Sequence, residues 1–202
     1  PPCDPAAGCA IDVGSTYDSD SLWNYEIGSK LQLFDNAMTL TASVFYIDWS
    51  DIQLSVSRGD GFDGFLNAGD ATSQGAEVET SFQVNKFLSI GGQVTYTDAT
   101  LESLPVSVAD FAIEGQKLPG VAKWSSAVNF ELGAPIWGSE YAYLLGDLQY
   151  VGSRENALGP FEEKLDSYSL LSLRAGIQRG PYDLSLFANN LTDERAELFR
   201  QS

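Results

Sequence analysis

Histidine is absent from the sequence, and this absence removes several kinds of catalytic and metal site. A Ser-His-Asp or Cys-His catalytic group cannot be assembled without histidine, and neither can a histidine-ligated metal centre. Cysteine is scarce as well, because Cys3 and Cys9 are the whole supply and cannot complete an all-cysteine zinc site. We therefore predict that the chain is not an enzyme and holds no cofactor or structural metal.

The two cysteines lie in a polar segment near the start of the chain. The spacing of Cys3 and Cys9 suits a small disulfide loop if the compartment is oxidising, and a pair of free thiols is the alternative. The chain begins Pro1-Pro2-Cys3, without Met and without a basic-then-apolar leader. We therefore expect a fragment that begins within a loop.

Positive charge is also scarce. The chain has 11 Lys and Arg residues against 28 Asp and Glu, which gives a formal net charge of -17 at pH 7. Binding to nucleic acid needs a basic surface that neutralises phosphates, so nucleic acid is excluded as a partner. The acidic residues are concentrated in the connections between the alternating segments described below.

Long apolar runs are missing too, although hydrophobic residues make up 44% of the chain. A helix that spans a membrane needs roughly 20 consecutive apolar residues, and no stretch of the sequence approaches this. A helical membrane protein is therefore excluded. A membrane β-barrel is not excluded, because its strands carry a polar residue at every second position and their mean hydropathy stays low.

Alternation of apolar and polar residues is most regular between Trp23 and Trp49. It runs over residues 23–33, breaks at Phe34-Asp35-Asn36 and resumes from Thr39. A period of two predicts strands with two different faces, joined here as an antiparallel hairpin. Each arm has about ten residues, which is the length of a membrane-spanning strand. Aromatic residues near the arm ends fit girdles at the lipid boundaries, namely Trp23, Tyr25, Tyr46 and Trp49 at one end and Phe34 at the other.

The same alternation recurs along the chain and predicts eight long strands. They cover residues 23–33, 39–49, 72–84, 88–97, 123–132, 142–150, 171–178 and 183–189, with the second strand continuing as far as Val56. The short connections are residues 34–36, 85–87, 133–140 and 179–181, and the long ones are 58–70, 99–120 and 154–166. Short and long connections alternate, which predicts an antiparallel outer-membrane barrel with short periplasmic turns and long extracellular loops.

The residue sequences of several segments are more specific for a protein family than the alternation is. Trp23–Lys30 resembles the Trp-x-Tyr-Glu-x-Gly-x-Lys strand in the barrels of TonB-dependent outer-membrane receptors. Four further segments resemble that family in the family's order: Phe45–Gln53 (FYIDWSDIQ), Asn67–Glu79 (NAGDATSQGAEVE), Leu118–Trp124 (LPGVAKW) and Asn189–Arg195 (NNLTDER). Together these matches extend over nearly the whole chain.

The resemblance implies a receptor in the bacterial outer membrane. Such a receptor takes up a siderophore or another scarce nutrient and draws energy from the inner membrane through TonB. Its expected partners are outer-membrane lipid, TonB and the nutrient ligand. The resemblance also implies that the eight strands are part of a barrel of about 22 strands.

The sequence departs from a complete member of that family. No signal peptide, TonB-contacting segment or plug domain is recognisable, and the chain stops at Arg200-Gln201-Ser202 without the family's terminal aromatic residue. We therefore expect residues 1–202 to be the C-terminal portion of the barrel without its last strand. Residues 1–21 are expected to form an extracellular loop.

Charged residues at the polar positions of the strands are the candidate site residues. Two glutamates on one strand face demand water, so we expect this face to line a lumen. The general polarity of a water-filled barrel and cross-strand pairing explain these residues equally well. The lumen-facing candidates are Glu26, Lys30, Glu77, Glu79, Lys123, Glu131, Asp147 and Arg174.

Two other architectures remain open at this point. Eight strands can close into a complete small outer-membrane barrel with a structural or adhesion role, which would pair the strand near Trp23 with the strand near Leu184. A soluble β-sandwich would instead bury the apolar face between two sheets. We predict that the two end strands do not pair and that one apolar face is exposed, with Leu31, Val44, Val78, Val94, Val128, Leu148, Leu173 and Leu186 on it.

Overall fold

The computed structural model describes residues 16–57, 63–67, 69–105, 112–158 and 163–199. The predicted disulfide between Cys3 and Cys9 and most of the predicted loop 1–21 lie outside these ranges. The elements in chain order are β1 (Ser21–Leu33), β2 (Met38–Ser50), β3 (Gln53–Ser57), β4 (Asp63–Asn67), β5 (Asp70–Gln83), β6 (Leu88–Ser103), β7 (Trp124–Trp137), β8 (Glu140–Val151), β9 (Arg154–Glu155), β10 (Lys164–Leu165), β11 (Tyr168–Arg179) and β12 (Tyr182–Ala188).

Eight of these strands form one antiparallel sheet in the order β1-β2-β5-β6-β7-β8-β11-β12. Each strand pairs with the next long strand along the chain, and β3-β4 and β9-β10 are separate two-stranded sheets. The first seven long strands have 12 to 16 residues, more than the nine to eleven or so that cross a bilayer. The predicted all-β, antiparallel architecture of eight long strands is confirmed.

The sheet is open. In the described part of the chain, β1 and β12 are its two edges and do not pair with each other. The predicted absence of a ladder between the strands near Trp23 and Leu184 is thus confirmed. The alternative of a complete eight-stranded barrel is not supported.

The pairing register gives the sheet two chemically different faces. On the apolar face, Ile27 lies opposite Val44, and Val44 opposite Ala76. On the polar face, Gly28 lies opposite Ser43, and Ser43 opposite Glu77. Of the eight residues predicted on the apolar face, Leu173 is half-buried and the other seven are exposed, which rules out burial between two sheets.

Tight turns connect the strands at one end of the sheet, here called the turn end. They are residues 34–37, 84–87, 138–139 and 180–181. The predicted turn over 133–140 is wrong, because β7 continues to Trp137 and only Gly138 and Ser139 turn the chain. Pro135 cannot donate a ladder hydrogen bond, but the strand accommodates it where the register with β8 shifts.

The opposite end, here called the loop end, also differs from the sequence-based boundaries. The predicted connection over 99–120 is too long, because β6 stays paired with β5 as far as Ser103. The predicted continuation of the second strand to Val56 is interrupted at Asp51, whose φ of 56° ends the extended backbone. Beyond it, β3 pairs with β4 instead of the main sheet.

A small hydrophobic core lies at the loop end, on the polar-face side. Ile52, Ala71, Leu101 and Ala112 are buried there, with Trp49, Leu66, Leu104, Leu118 and Leu158 packed against them. We call these nine residues the loop-end core. The register places Trp49 opposite Ala71, and Ala71 opposite Leu101, on the positions of the polar face. The predicted place of Trp49 in an apolar-face girdle is therefore wrong.

Candidate functional site

Four of the eight predicted site residues lie on the polar face of β1 and β5. Lys30 is opposite Thr41 of β2, and Thr41 is opposite Glu79 of β5, so all three share one row across the sheet. Glu77 lies one row away and Glu26 belongs to the same face of β1. The intervening strand separates β1 from β5 by roughly 10 Å, because neighbouring strands are about 4.8 Å apart. These charges therefore line one surface without direct pairing.

Three more predicted residues meet around a depression in the polar face between β6 and β12. The depression has a volume of about 550 Å³ and is lined by Glu131, Asp147 and Arg174 together with Ser89, Asn129, Ser172, Phe187 and Asn189. Arg174 Nε donates to Ser185 Oγ at 3.1 Å, and Gln149 Nε2 donates to Asp147 Oδ1 at 3.0 Å. The uncharged side chains of Ser185 and Gln149 thus hold Arg174 and Asp147 against the wall of the depression.

Lys123 differs from the other seven candidates. It precedes the first residue of β7, and its Nζ lies 5.5 Å from the centroid of the Tyr96 ring. Tyr96 shares the apolar face with Val94 and Val128, since its partner across β7 is Trp124. The structure therefore brings Lys123 to the loop-end edge of the apolar face.

Sequence reasoning missed a hydrogen-bonded group near the turn end of the polar face. The ring of Tyr143 lies directly over Gly176, where the Cβ of any larger residue would collide with the phenol oxygen. This placement lets the Tyr143 hydroxyl donate to Asp183 Oδ1 at 2.9 Å, and Gln178 Nε2 donates to Oδ2 at 2.9 Å. The sequence signal for this group is a glycine, Gly176, paired with an aromatic residue, Tyr143, at polar-face positions. This pairing can be recognised only when the register between β8 and β11 is known.

The side chain of Asn67 links separate loop-end segments through hydrogen bonds. Its Nδ2 donates to the backbone oxygens of Asp18, at 3.0 Å, and Asp51, at 2.8 Å. Its Oδ1 accepts from the Asp18 backbone nitrogen at 2.8 Å. The segment before β1 and the turn after β2 are thereby held against β4.

Two basic side chains hold other loop-end segments. Arg154 is buried, and its Nη2 donates to the backbone oxygen of Glu197 at 3.0 Å, which ties the chain after β12 to β9. Lys117 donates to Asp98, and this hydrogen bond with its charge lowers the pKa of the Asp98 carboxyl, against a smaller effect of burial. Asp98 lies beyond Tyr96, the last residue of β6 that pairs with β7.

Metal clusters and spanning helices are both lacking in the described ranges. No group of three or more acidic, histidine or cysteine side chains is arranged there to hold a metal ion. Those ranges also contain no helix long and apolar enough to cross a membrane.

Comparison with known proteins identifies the family. The family described as "TonB dependent receptor-like, beta-barrel" matches residues 12–191. The metal-pseudopaline receptor CntO of Pseudomonas aeruginosa is 26% identical over 189 residues, which cover 91% of this chain and 25% of CntO. The chain thus spans about a quarter of the length of this curated relative.

Solved structures show the same fold. The ferric yersiniabactin uptake receptor FyuA of Yersinia pestis superimposes with a TM-score of 0.73 at 20% identity, and the alignment covers 89% of this chain and 26% of FyuA. The ferric-catecholate import receptor Fiu of Escherichia coli, in its closed form, superimposes with a TM-score of 0.69 at 19% identity, and the alignment covers 91% of this chain and 25% of Fiu. The open eight-stranded sheet is therefore a segment of a larger β-barrel.

These matches decide three of the sequence-based predictions. The barrel fold and the location in the bacterial outer membrane are confirmed by the family. The prediction that the chain is not an enzyme is confirmed on the same ground, because the family consists of receptors and transporters. The chain belongs to the TonB-dependent receptor-like β-barrel family.

Proposed function

We propose that this domain is the barrel wall of a receptor that imports a metal complex of a siderophore, or another scarce nutrient, with energy delivered through TonB. The observation that carries the proposal is the continuous polar face, which runs from the loop-end core to the turn end and bears charged residues on β1, β5, β7, β8 and β11. The names of the three relatives each specify a metal or ferric compound, which supports a metal complex as the ligand class.

The open edges support a larger assembly. In hydrocarbon, each unsatisfied backbone group costs several kcal/mol, so strands β1 and β12 need neighbours before the sheet can persist in a bilayer. We propose that residues 1–202 are one portion of a receptor whose other strands, plug and TonB-contacting segment complete the transport path.

Within that receptor, seven of the eight predicted residues are proposed to face the lumen. The row of Lys30 and Glu79 and the depression around Arg174 offer both signs of charge to a plug surface or a passing ligand. A water-filled lumen needs such polarity in any case. The Cys3–Cys9 disulfide likewise remains a proposal for the start of the segment.

Uptake by intact cells tests the proposal. A strain that lacks the complete receptor would be given ⁵⁵Fe-loaded siderophores and other metal chelates under metal limitation, beside a strain that lacks TonB. We expect at least one complex to be imported only when both proteins are present. Cells without TonB should still bind that complex at their surface.

A control separates this result from passive entry. A small solute that diffuses through porins should enter all strains equally. Import of every tested complex at the same rate without the receptor would contradict the proposed function, as would receptor-dependent import that continues without TonB.

A further inference from the structure

The depression between β6 and β12 is bounded by side chains that lie over glycines. The Asn129 amide lies against Gly91 of β6, where even a Cβ would collide with it. Two rows nearer the turn end, the Tyr143 ring lies over Gly176. The row between them, which contains Arg174, is left open and forms much of the space of about 550 Å³.

Opposite charges lie in this space without pairing. Asp147 is opposite Ser172, two residues before Arg174, so the Cβ atoms of Asp147 and Arg174 are diagonal neighbours roughly 7 Å apart. Side chains of this length could meet. Instead, Gln149 binds the Asp147 carboxylate on the side of the loop end, and Ser185 binds Arg174 Nε from β12. Neither charged group takes part in an ion pair within the described ranges.

The separated charges suit a ligand that carries both kinds of hydrogen-bonding group. Because Ser185 accepts from Nε, the two Nη groups of Arg174 can donate to the oxygens of a carboxylate. The carboxylates of Asp147 and Glu131 can accept from amine or ammonium groups. In the row of Arg174, Leu145 lies on one side and Phe187, which is 70% exposed, on the other. Apolar surface for a carbon skeleton thus lies beside the charges.

We propose that the depression binds the amino-carboxylate groups of a metal chelate as it passes through the barrel. Arg174 donates to a carboxylate of the chelate, and Asp147 and Glu131 accept from its N–H groups. Leu145 and Phe187 contact its carbon skeleton. The inference names a ligand class within the proposed transport function and rests on that function.

The position of the depression indicates passage and not initial capture. Ser89 lines it beside the turn 84–87, whereas Leu101 of the loop-end core lies toward the other end of the same strand. Twelve steps of about 3.4 Å separate the two residues by roughly 40 Å along β6. A ligand captured at the loop end therefore reaches the depression only during transport. Loss of the depression should slow import and leave capture intact.

Import by intact cells that lack other receptors for ferric siderophores tests the ligand class. Cells with the complete wild-type receptor, Arg174→Gln or Asp147→Asn would be given the ⁵⁵Fe complex of rhizobactin, an amino-carboxylate siderophore. The ⁵⁵Fe complex of ferrichrome, a hydroxamate siderophore with no free carboxylate or amine, would be compared with it. We expect the wild type to import ferric rhizobactin and each variant to lower its maximal import rate about tenfold, because a hydrogen bond to a charged group is lost. Binding of ferric rhizobactin at the cell surface should keep its affinity.

Two further variants sharpen the comparison. Lys86→Gln removes a cation from the turn 84–87, outside the depression, and should import like the wild type. Arg174→Lys keeps the charge without the planar fork and should recover part of the rate. Each variant would first be checked for heat-modifiable migration on a semi-native gel, which reports a closed barrel.

Several outcomes would overturn the proposal. Import of ferrichrome without import of ferric rhizobactin by the wild type would exclude the ligand class and leave TonB-dependent uptake standing. Receptor-dependent import of neither complex would also exclude it, whereas failure of the whole set of chelates named above would contradict uptake itself. Unchanged import in both depression variants would refute the site. Equal slowing of both complexes, or surface binding weakened in proportion, would assign the depression to plug packing or folding.

Discussion

Leucine has opposite surroundings in the spanning sheet and in the loop-end core. On the apolar face, Leu184 and Leu186 are 77% and 81% exposed in the isolated sheet, whereas Leu101 of the loop-end core is 0% exposed. The first environment is completed by lipid and the second by the protein itself. The chain is therefore built for two solvents, and the boundary between them lies within β6.

The difference decides which forces act in each region. Burial of apolar surface from water stabilises the loop-end core, at roughly 25 cal/mol per Å². In the spanning sheet, lipid is as apolar as leucine, so cohesion comes from the backbone ladder that satisfies every polar group. Substitutions of the same residue type should thus have very different effects in the two regions.

The largest expected effect follows from truncation of the loop-end core. Leu101→Ala in the complete receptor would remove a fully buried side chain, and such changes cost about 2–5 kcal/mol. We expect faster amide hydrogen exchange at Ile52, Ala71 and Ala112 together, because they pack on the same side chain. Leu186→Ala is the control and should leave these amides protected. Equal loosening by both variants would refute the two-solvent comparison.

A smaller effect is expected on the polar face of the sheet. Gly176→Ala would place a Cβ against the Tyr143 ring and displace it from Asp183, at a cost of about 1–2 kcal/mol. Thermal unfolding of the complete receptor would measure this loss. The same change in a Tyr143→Ser background should cost little, and Gly92→Ala should be well tolerated because its nearest atom is at 3.6 Å. A full cost that persists in the Tyr143→Ser background would exclude the ring as its cause.

Removal of the Asn67 side chain should act only at the loop end. Asn67→Ala would break hydrogen bonds to Asp18 and Asp51, and we expect a loss of about 1–2 kcal/mol confined to those segments. Limited proteolysis before β1 and after β2 would detect it. Asn24→Ala, on an exposed position of β1, serves as the comparison and should not change the cleavage pattern.

The smallest effect concerns the ion pair between Lys117 and Asp98. Because the pKa of Asp98 is lowered in the folded state, the pair stabilises the protein above the unfolded carboxyl pKa, and this contribution disappears as the pH falls through the lower folded value. Both groups are partly exposed, so solvent screening keeps the effect below about 1 kcal/mol. Lys117→Met should unfold at a slightly lower temperature than the wild type at pH 7, and this difference should shrink as the pH falls below the unfolded carboxyl pKa. A difference that grows toward acid would have the wrong sign.

Much of the sheet could be predicted from the sequence because a period of two records the two faces directly. The alternation that assigns Leu31 and Val44 to one face survives in the structure without any knowledge of partners. At the loop end this signal fails: Trp49 and Leu101 occupy polar-face positions but are apolar, since connections from elsewhere in the chain fold over them. Pairings such as Tyr143 with Asp183 depend on register, which alternation alone does not determine.

The loop-end core also bears on how tightly a ligand could bind above the barrel. Connections that are far apart in sequence already share one buried cluster and the hydrogen bonds of Asn67. Ordering flexible side chains and loops during association consumes part of the binding free energy. Because these segments are already ordered before a ligand binds, binding to them costs little conformational entropy. A ligand can therefore bind them with high affinity through a small contact area.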